Sequence, residues 1–217
     1  MVGIMLKIKS FSDAAYDEIK DRIIKGIYKP GESLNERNLS SDFGISRTPV
    51  REALQKLSLE GWILNEPYKK NEVRKFSLED IIEAQKVRSA LEILAIKEAF
   101  GKFLDEDFEY LNNVIEQQEK SSDYVEFIKF DRNFHEYIYQ KSGNSLLISL
   151  MNNINDIIRY FGLIALNIPN RNTFTLKEHK EILEALKCKN SDLTIKKLEI
   201  HMENTTSAII ERYKTLK

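Results

Sequence analysis

Apolar positions in the first third of the chain recur at helical spacing, in short blocks divided by turn residues. Tyr16, Ile19, Ile23 and Ile27 mark an amphipathic helix that Ser12 or Asp13 would open and Lys29-Pro30-Gly31 would stop. After a turn, Asn35-Glu-Arg-Asn-Leu-Ser-Ser-Asp-Phe predicts a second, short helix with Leu39 and Phe43 inward. It ends at Gly44, a residue suited to a left-handed cap. Only Ile45 intervenes before Ser46 caps a third helix, in which Pro49 sits in the first turn and Val50, Ala53, Leu54 and Leu57 form the buried stripe. Gly61 closes that helix. Trp62-Ile-Leu-Asn then pairs with Val73-Arg-Lys-Phe across a loop containing Pro67, a two-stranded wing. The sum is a winged helix-turn-helix.

Beyond residue 76 the period is helical throughout. Six helices are expected, near 78–101, 105–120, 122–141, 145–167, 175–189 and 191–215. Ser77, Ser121 and Ser191 are the cap candidates, Gly143-Asn144 breaks the run after Lys141, and Ile168-Pro169-Asn170 separates the next pair. The stripe Phe127, Phe130, Phe134 and Ile138 reads as core. The fold class is therefore mainly α: a winged helix-turn-helix with a small β wing over residues 1–76, then an all-α antiparallel bundle over 77–217.

Composition changes this picture little. With 217 residues, 42% hydrophobic and 31% charged, two small domains fit better than one large one. No run of 18 apolar residues and no secretory signal pattern occurs, so a cytoplasmic protein with no membrane partner is expected. Cys188 alone cannot form an intramolecular disulfide. Charge separates the two parts. Residues 1–76 hold 14 Lys/Arg against 11 Asp/Glu, whereas 77–217 hold 19 against 23, a weak pointer to an anionic partner for the first.

The third helix suggests which anion. Ser46, Arg47, Thr48 and Arg51 place donors at its amino end and outward face, where a helix N-terminus can meet a duplex. Arginine can reach guanine O6 and N7 with two parallel bonds, and threonine a phosphate or a thymine methyl. Two arginines on a solvated face are ordinary; the tight turn ahead of them makes double-stranded DNA the expected partner.

The second part carries different chemistry. All three histidines of the chain, His135, His179 and His201, fall on inward stripes, and Asp131 lies one turn before His135 on the same face. A single buried imidazole is usually a core residue bonded to a carbonyl. Three of them with a carboxylate in register point to a divalent transition metal. A metalloenzyme would want the same ligands, with Glu136 or Glu178 as general base, but no motif specifies such a reaction. A pure metal sensor and a purely structural ion remain open beside it.

The stretch from Pro30 to Leu57, above all Ser46-Arg-Thr-Pro-Val-Arg-Glu-Ala-Leu, resembles the winged-helix domain of GntR-family transcriptional regulators. Val87-Arg-Ser-Ala-Leu-Glu, Asp131-Arg-Asn-Phe-His, Ser142-Gly-Asn and Glu178-His-Lys-Glu-Ile-Leu-Glu-Ala-Leu extend the resemblance to the FadR-type effector domain, so nearly the whole chain is covered. The resemblance implies a homodimeric repressor or activator, not an enzyme, that reads an inverted-repeat operator and is controlled by a small organic acid. It places DNA contacts on Arg37, Ser46, Arg47, Thr48 and Arg51, metal ligands on Asp131, His135, His179 and His201, and an effector carboxylate beside Arg88. The residue-level alternative for Arg88 is a salt bridge with Glu92. The wing departs from the family pattern. Glu66-Pro-Tyr-Lys-Lys-Asn stands where glycine and arginine are common, leaving Lys69 and Lys70 as phosphate contacts or plain surface residues. Zinc is the expected ion, although nickel, cobalt, copper and manganese also suit three imidazoles and a carboxylate.

Overall fold

A computed structural model describes residues 10–64, 70–165 and 170–215. The chain divides between Phe76 and Ser77 into two compact units. The first holds helices α1 (Phe11–Ile24), α2 (Glu36–Phe43) and α3 (Arg47–Leu59) and strands β1 (Ser33–Leu34), β2 (Ile63–Leu64) and β3 (Asn71–Val73). Helix α1 packs on α3, and α2 turns into α3 through Gly44, whose φ of 66° puts it in the left-handed region. Ile19, Ile23, Val50, Leu54, Leu57 and Trp62 fill the space between them.

Several boundaries differ from the sequence reading for local reasons. Ser10, rather than Ser12 or Asp13, caps α1 by accepting from the Asp13 amide at 3.0 Å. That helix stops at Ile24 because Gly26, at φ 70°, turns the chain out of it, and Ile27 is left 58% exposed instead of buried. Ser46 occupies the N-cap of α3 but makes no capping bond through its side chain. The wing has three antiparallel strands in the order β1-β3-β2. The added strand, β1, is two residues long, too short to show a period. Its register is set beside Gly31, whose amide donates to the Val73 carbonyl at 2.8 Å. Ile63 pairs with Val73 and Leu64 with Glu72, so β3 begins before Val73. Asn65, Pro67 and Lys69 lie outside the described residues.

The second unit consists of α4 (Leu78–Ala99), α5 (Asp105–Glu119), α6 (Tyr124–Lys141), α7 (Ser145–Ala165), α8 (Arg171–Lys187) and α9 (Ser191–Thr215). Its helix ends are fixed by side chains. Ser77 and Asp80 form a reciprocal capping box on α4. Asp123 rather than Ser121 caps α6, and Asn190 rather than Ser191 accepts from the Leu193 amide at the start of α9. Helix α8 starts four residues before expectation, at Arg171, directly after Asn170 in a left-handed conformation. The Ile168-Pro169 part of the expected break lies outside the described residues. Helix α4 packs on α6, α7 and α9, α5 on α6 and α8, and α8 on α9. The main core cluster of the unit is built from Ile96, Leu111, Ile115, Phe134, Ile182, Leu183 and Leu198, with smaller clusters around Tyr139 and Met151 and around Phe127 and Ile128. This places the inward faces of α6, α8 and α9 around a common centre.

Among the described residues, no helix is long and apolar enough to cross a membrane. Gly44→Ala is expected to lower the urea midpoint of the first unit by an amount equivalent to about 1 kcal/mol, because a Cβ there meets no atom yet strains the left-handed backbone. An unchanged midpoint would count against that role.

Candidate metal centre and DNA-reading face

Asp131 and His135 lie one turn apart on α6, His179 is on α8 and His201 on α9. One ligand atom from each of the four lies within 4.8 Å of all the others. The imidazoles are 3%, 0% and 1% exposed in chain order, with ring centroids 4.9 to 5.1 Å apart. Phe134 supports two of them, stacking on His179 at 4.3 Å and meeting His135 edge-on. Asp131 Oδ1 stands 3.4 Å from His179 Nε2.

Each ring is held from behind through Nδ1. His135 Nδ1 lies 2.6 Å from Glu92 Oε2, His179 Nδ1 2.9 Å from Gln118 Oε1 and His201 Nδ1 2.7 Å from Glu178 Oε2. With those acceptors, Nδ1 carries the proton and donates it, which leaves the Nε2 lone pair directed inward. The Nε2 atoms of His135 and His179 are buried and have no hydrogen-bond partner. Buried polar atoms are rarely left so, and two unpartnered lone pairs beside an aspartate suit a cation. The four residues could therefore hold a divalent transition metal.

The carboxylates behind the rings are themselves anchored. Arg88 Nε donates to Glu92 at 2.6 Å, and Arg171 grips Glu178 with two bonds of 2.9 and 2.8 Å while reaching Thr205. Burial alone would raise both carboxyls. The opposing contributions from His135 and Arg88 hold Glu92 at about 2, and those from His201 and Arg171 hold Glu178 at about 2. Burial drives His179 well below the ordinary imidazole value, with neighbouring His201 and His135 adding to the effect, and burial also lowers His201.

Gln85, Arg88, Glu92, Asp131, Arg132, His135, Asn155, Arg159, Arg171, Thr175 and His201 line one cavity of about 40 Å³ together with apolar Phe127, Ile128, Met151 and Ile158. Arg88 thus has both the salt bridge to Glu92 and a place on the cavity wall. Glu136 is not part of that wall; it faces Arg132 at 3.6 Å. Glu178 is committed to Arg171 and His201, so neither acid stands as a free general base. Sequence reasoning missed Gln118, Arg171 and Gln85. Arg171 lies before the expected helix start, and nothing in the periodicity separates Gln118 from other glutamines.

In the first unit, Arg37, Ser46, Arg47, Thr48 and Arg51 are all exposed. Arg37 and Arg47 line one open depression with Asn35, Glu36 and Lys70. Arg51 is paired through Nε and Nη2 with Glu36 at 3.0 to 3.3 Å. Lys69 lies outside the described residues.

A winged helix-turn-helix joined in one chain to a helical domain with a histidine cage is the build of a DNA-binding regulator. Comparison with known proteins agrees. Residues 11–69 match the family described as bacterial regulatory proteins, gntR family, and residues 83–204 match the FCD domain. The chain belongs to the GntR family of transcriptional regulators, in the FadR-like branch whose C-terminal part is an FCD domain. The HTH-type transcriptional regulator YdhC of Bacillus subtilis is 30% identical over 181 residues, 82% of this chain and 81% of that protein. The structure of McbR/YncC from Escherichia coli shares the fold, with a TM-score of 0.78, 23% identity and coverage of 95% of this chain and all of that one. The Zn2+-bound FCD domain of TM0439 aligns with 65% of this chain and 99% of its own length, with 24% identity and a TM-score of 0.52. These relatives are regulators, not enzymes, and this protein is a DNA-binding transcriptional regulator of the same kind.

The buried groups fix the sign of a pH dependence. Unfolded imidazoles take up protons as pH falls through about 6.5, whereas His179 in the folded state resists. With metal removed by a chelator, stability should therefore decline as pH drops below that value. It should decline further between about 4.5 and about 2, where Glu92 and Glu178 protonate in the unfolded chain before the folded one. Urea titrations between pH 8 and 4 should show the first decline in the parent and a weaker one in His179→Phe. Equal slopes would refute the assignment.

Proposed function

We propose that this regulator holds a divalent metal on Asp131, His135, His179 and His201, and that a small organic acid bound there sets its affinity for DNA. The observation that carries the reading is the pair of buried, unpartnered Nε2 atoms facing the aspartate, each on a ring whose Nδ1 is already committed. Zinc is the first choice: the donor set suits it, and the FCD domain of TM0439 is a zinc-bound relative. Nickel and manganese are the alternatives. When bound, the ion would supply a Lewis-acidic centre with room for a carboxylate oxygen.

The chain's own residues would do the rest. Glu92, Gln118 and Glu178 orient the three rings, and Arg88 and Arg171 hold the two carboxylates in place. Arg88 also faces the cavity, where a guanidinium can pair with an incoming carboxylate. In the first unit, Arg47, Thr48 and Arg51 would read base edges, with Ser46 and Arg37 on the phosphates. Arg51 would exchange Glu36 for DNA. A homodimer would place two such helices in successive major grooves, hence an inverted-repeat operator. Coupling between acid and DNA in the usual range of about 1–3 kcal/mol would change affinity roughly 5- to 150-fold.

Tag-free protein would be tested for metal content and titrated with a duplex from its own upstream region, with and without a panel of small acids. An acid-dependent change of affinity supports the reading; a change only on chelation would mean that the ion itself is the signal. Arg47→Ala and Arg51→Ala should each weaken specific binding about tenfold or more, as expected for loss of a bidentate base contact. Unchanged operator affinity in both would overturn the DNA-contact assignment. His179→Ala should lose metal by elemental analysis while keeping operator binding.

A further inference from the structure

Gln85 lies on α4, three residues before Arg88, and both side chains line the cavity that contains the histidine cage. It is 3% exposed, and neither its Oε1 nor its Nε2 has a hydrogen-bond partner. The domain offers a direct contrast. Gln118 is equally buried, but its oxygen accepts from His179 and its nitrogen donates to the Phe127 carbonyl. A buried amide with both ends idle, on the wall of a cavity, is a polar group set aside for a ligand.

Four arginines line that wall, Arg88, Arg132, Arg159 and Arg171, and Arg132 faces Glu136 at 3.6 Å. Arg171 spends both terminal nitrogens on Glu178 and Thr205. Arg88, 4% exposed, bonds Glu92 through Nε alone among the described residues, so its two terminal nitrogens are unused. Within one turn of α4, then, the cavity presents a cationic double donor and, beside it, a neutral donor and acceptor. Phe127, Ile128, Met151 and Ile158 supply the apolar part of the remaining wall, beside Arg132, Asn155, Arg159, Thr175 and Thr205.

We propose that Gln85 is a specificity residue, and that the acid this site takes is a short hydroxy-carboxylic acid. The proposal rests on the reading of the site given above. The carboxylate would go to Arg88 and the metal side of the cavity, and the hydroxyl would go to Gln85. A hydroxyl both donates and accepts, so it can use either end of the amide. A methyl in the same place leaves the amide dry and unbonded. A second carboxylate can only accept: it could meet Nε2 but would face Oε1 lone pair to lone pair. Sites with a buried polar group reject analogues that cannot bond it more strongly than apolar pockets reject a small change of size. The cavity is small, about 40 Å³, which favours the shortest members of the class.

The test uses the full-length, zinc-loaded protein and isosteric pairs, in which a hydroxyl replaces a methyl: glycolate against propionate, and 2-hydroxypropionate against isobutyrate, with malonate as the second-carboxylate probe. Calorimetric titration should give each hydroxy acid at least tenfold tighter binding than its methyl partner and than malonate. In Gln85→Leu that advantage should fall below about twofold while propionate binding is kept. Affinities within twofold of one another in the parent would overturn the proposal and leave the effector reading intact, the amide then being satisfied by a resident water. A hydroxy-acid advantage that survives in Gln85→Leu would overturn it as well. Failure of every acid to bind, with zinc still present, would remove both this proposal and the effector reading. If Gln85→Leu does not fold, the isosteric series on the parent protein decides by itself.

Discussion

Three imidazoles in the middle of a helical bundle impose a demanding condition, since each has two polar nitrogens and almost no exposed surface. The bundle meets it from the outside inward. Glu92 comes from α4, Gln118 from α5 and Glu178 from α8, and each accepts from one ring, so that all three rings present the same nitrogen to the centre. Five of the six helices of the second unit contribute a group to this arrangement or to the arginines behind it. Packing and polarity are therefore set together: the ridge that buries Phe134 against His179 also determines where the ring nitrogens point. Loss of one outer acceptor would leave a buried N–H unbonded and the ring free to turn, so the anchoring residues matter to the site as much as the four that converge.

The parts of this fold that were legible in the sequence are those written as a repeat or a local motif. The turn between α2 and α3 announces itself through Gly44 and the three-residue gap to Arg47, and the histidines through their places in apolar stripes. What was illegible depends on contact between distant segments. Strand β1 has two residues and exists because Gly31 brings the chain beside Val73. Gln118 is 61 residues from the ring it orients, and its own helix gives no sign of that role. Arg171 was hidden for another reason: it begins α8 ahead of any apolar residue, so periodicity placed the helix start at Thr175 and left the arginine in the loop. Glu92 lay between these extremes, visible as the i+4 partner of Arg88 but not as the partner of His135.

The two units solve their electrostatic problems in opposite ways. In the first, charges lie at the surface and are interchangeable: Arg51 rests on Glu36 in an exposed pair that screening keeps weak, so the pair can be exchanged at small cost. In the second, the pairs Arg88–Glu92 and Arg171–Glu178 are buried and joined to the imidazoles, and breaking either would strand a charge away from solvent. A surface meant to exchange partners and an interior meant to keep them are both consistent with a regulator.

Gln118 has a consequence beyond orienting His179. It is neutral where the other two rings are backed by glutamates, so the groups tied to the cage number three carboxylates, Asp131, Glu92 and Glu178, against two guanidinium groups, Arg88 and Arg171. These groups by themselves therefore leave one excess negative charge, which favours a divalent cation among them, while Arg132 and Arg159 stand on the wall of the same cavity. A glutamate in place of Gln118 would deepen that excess. The neutral amide thereby sets how strongly the four inward groups would draw a cation, although it is not one of them.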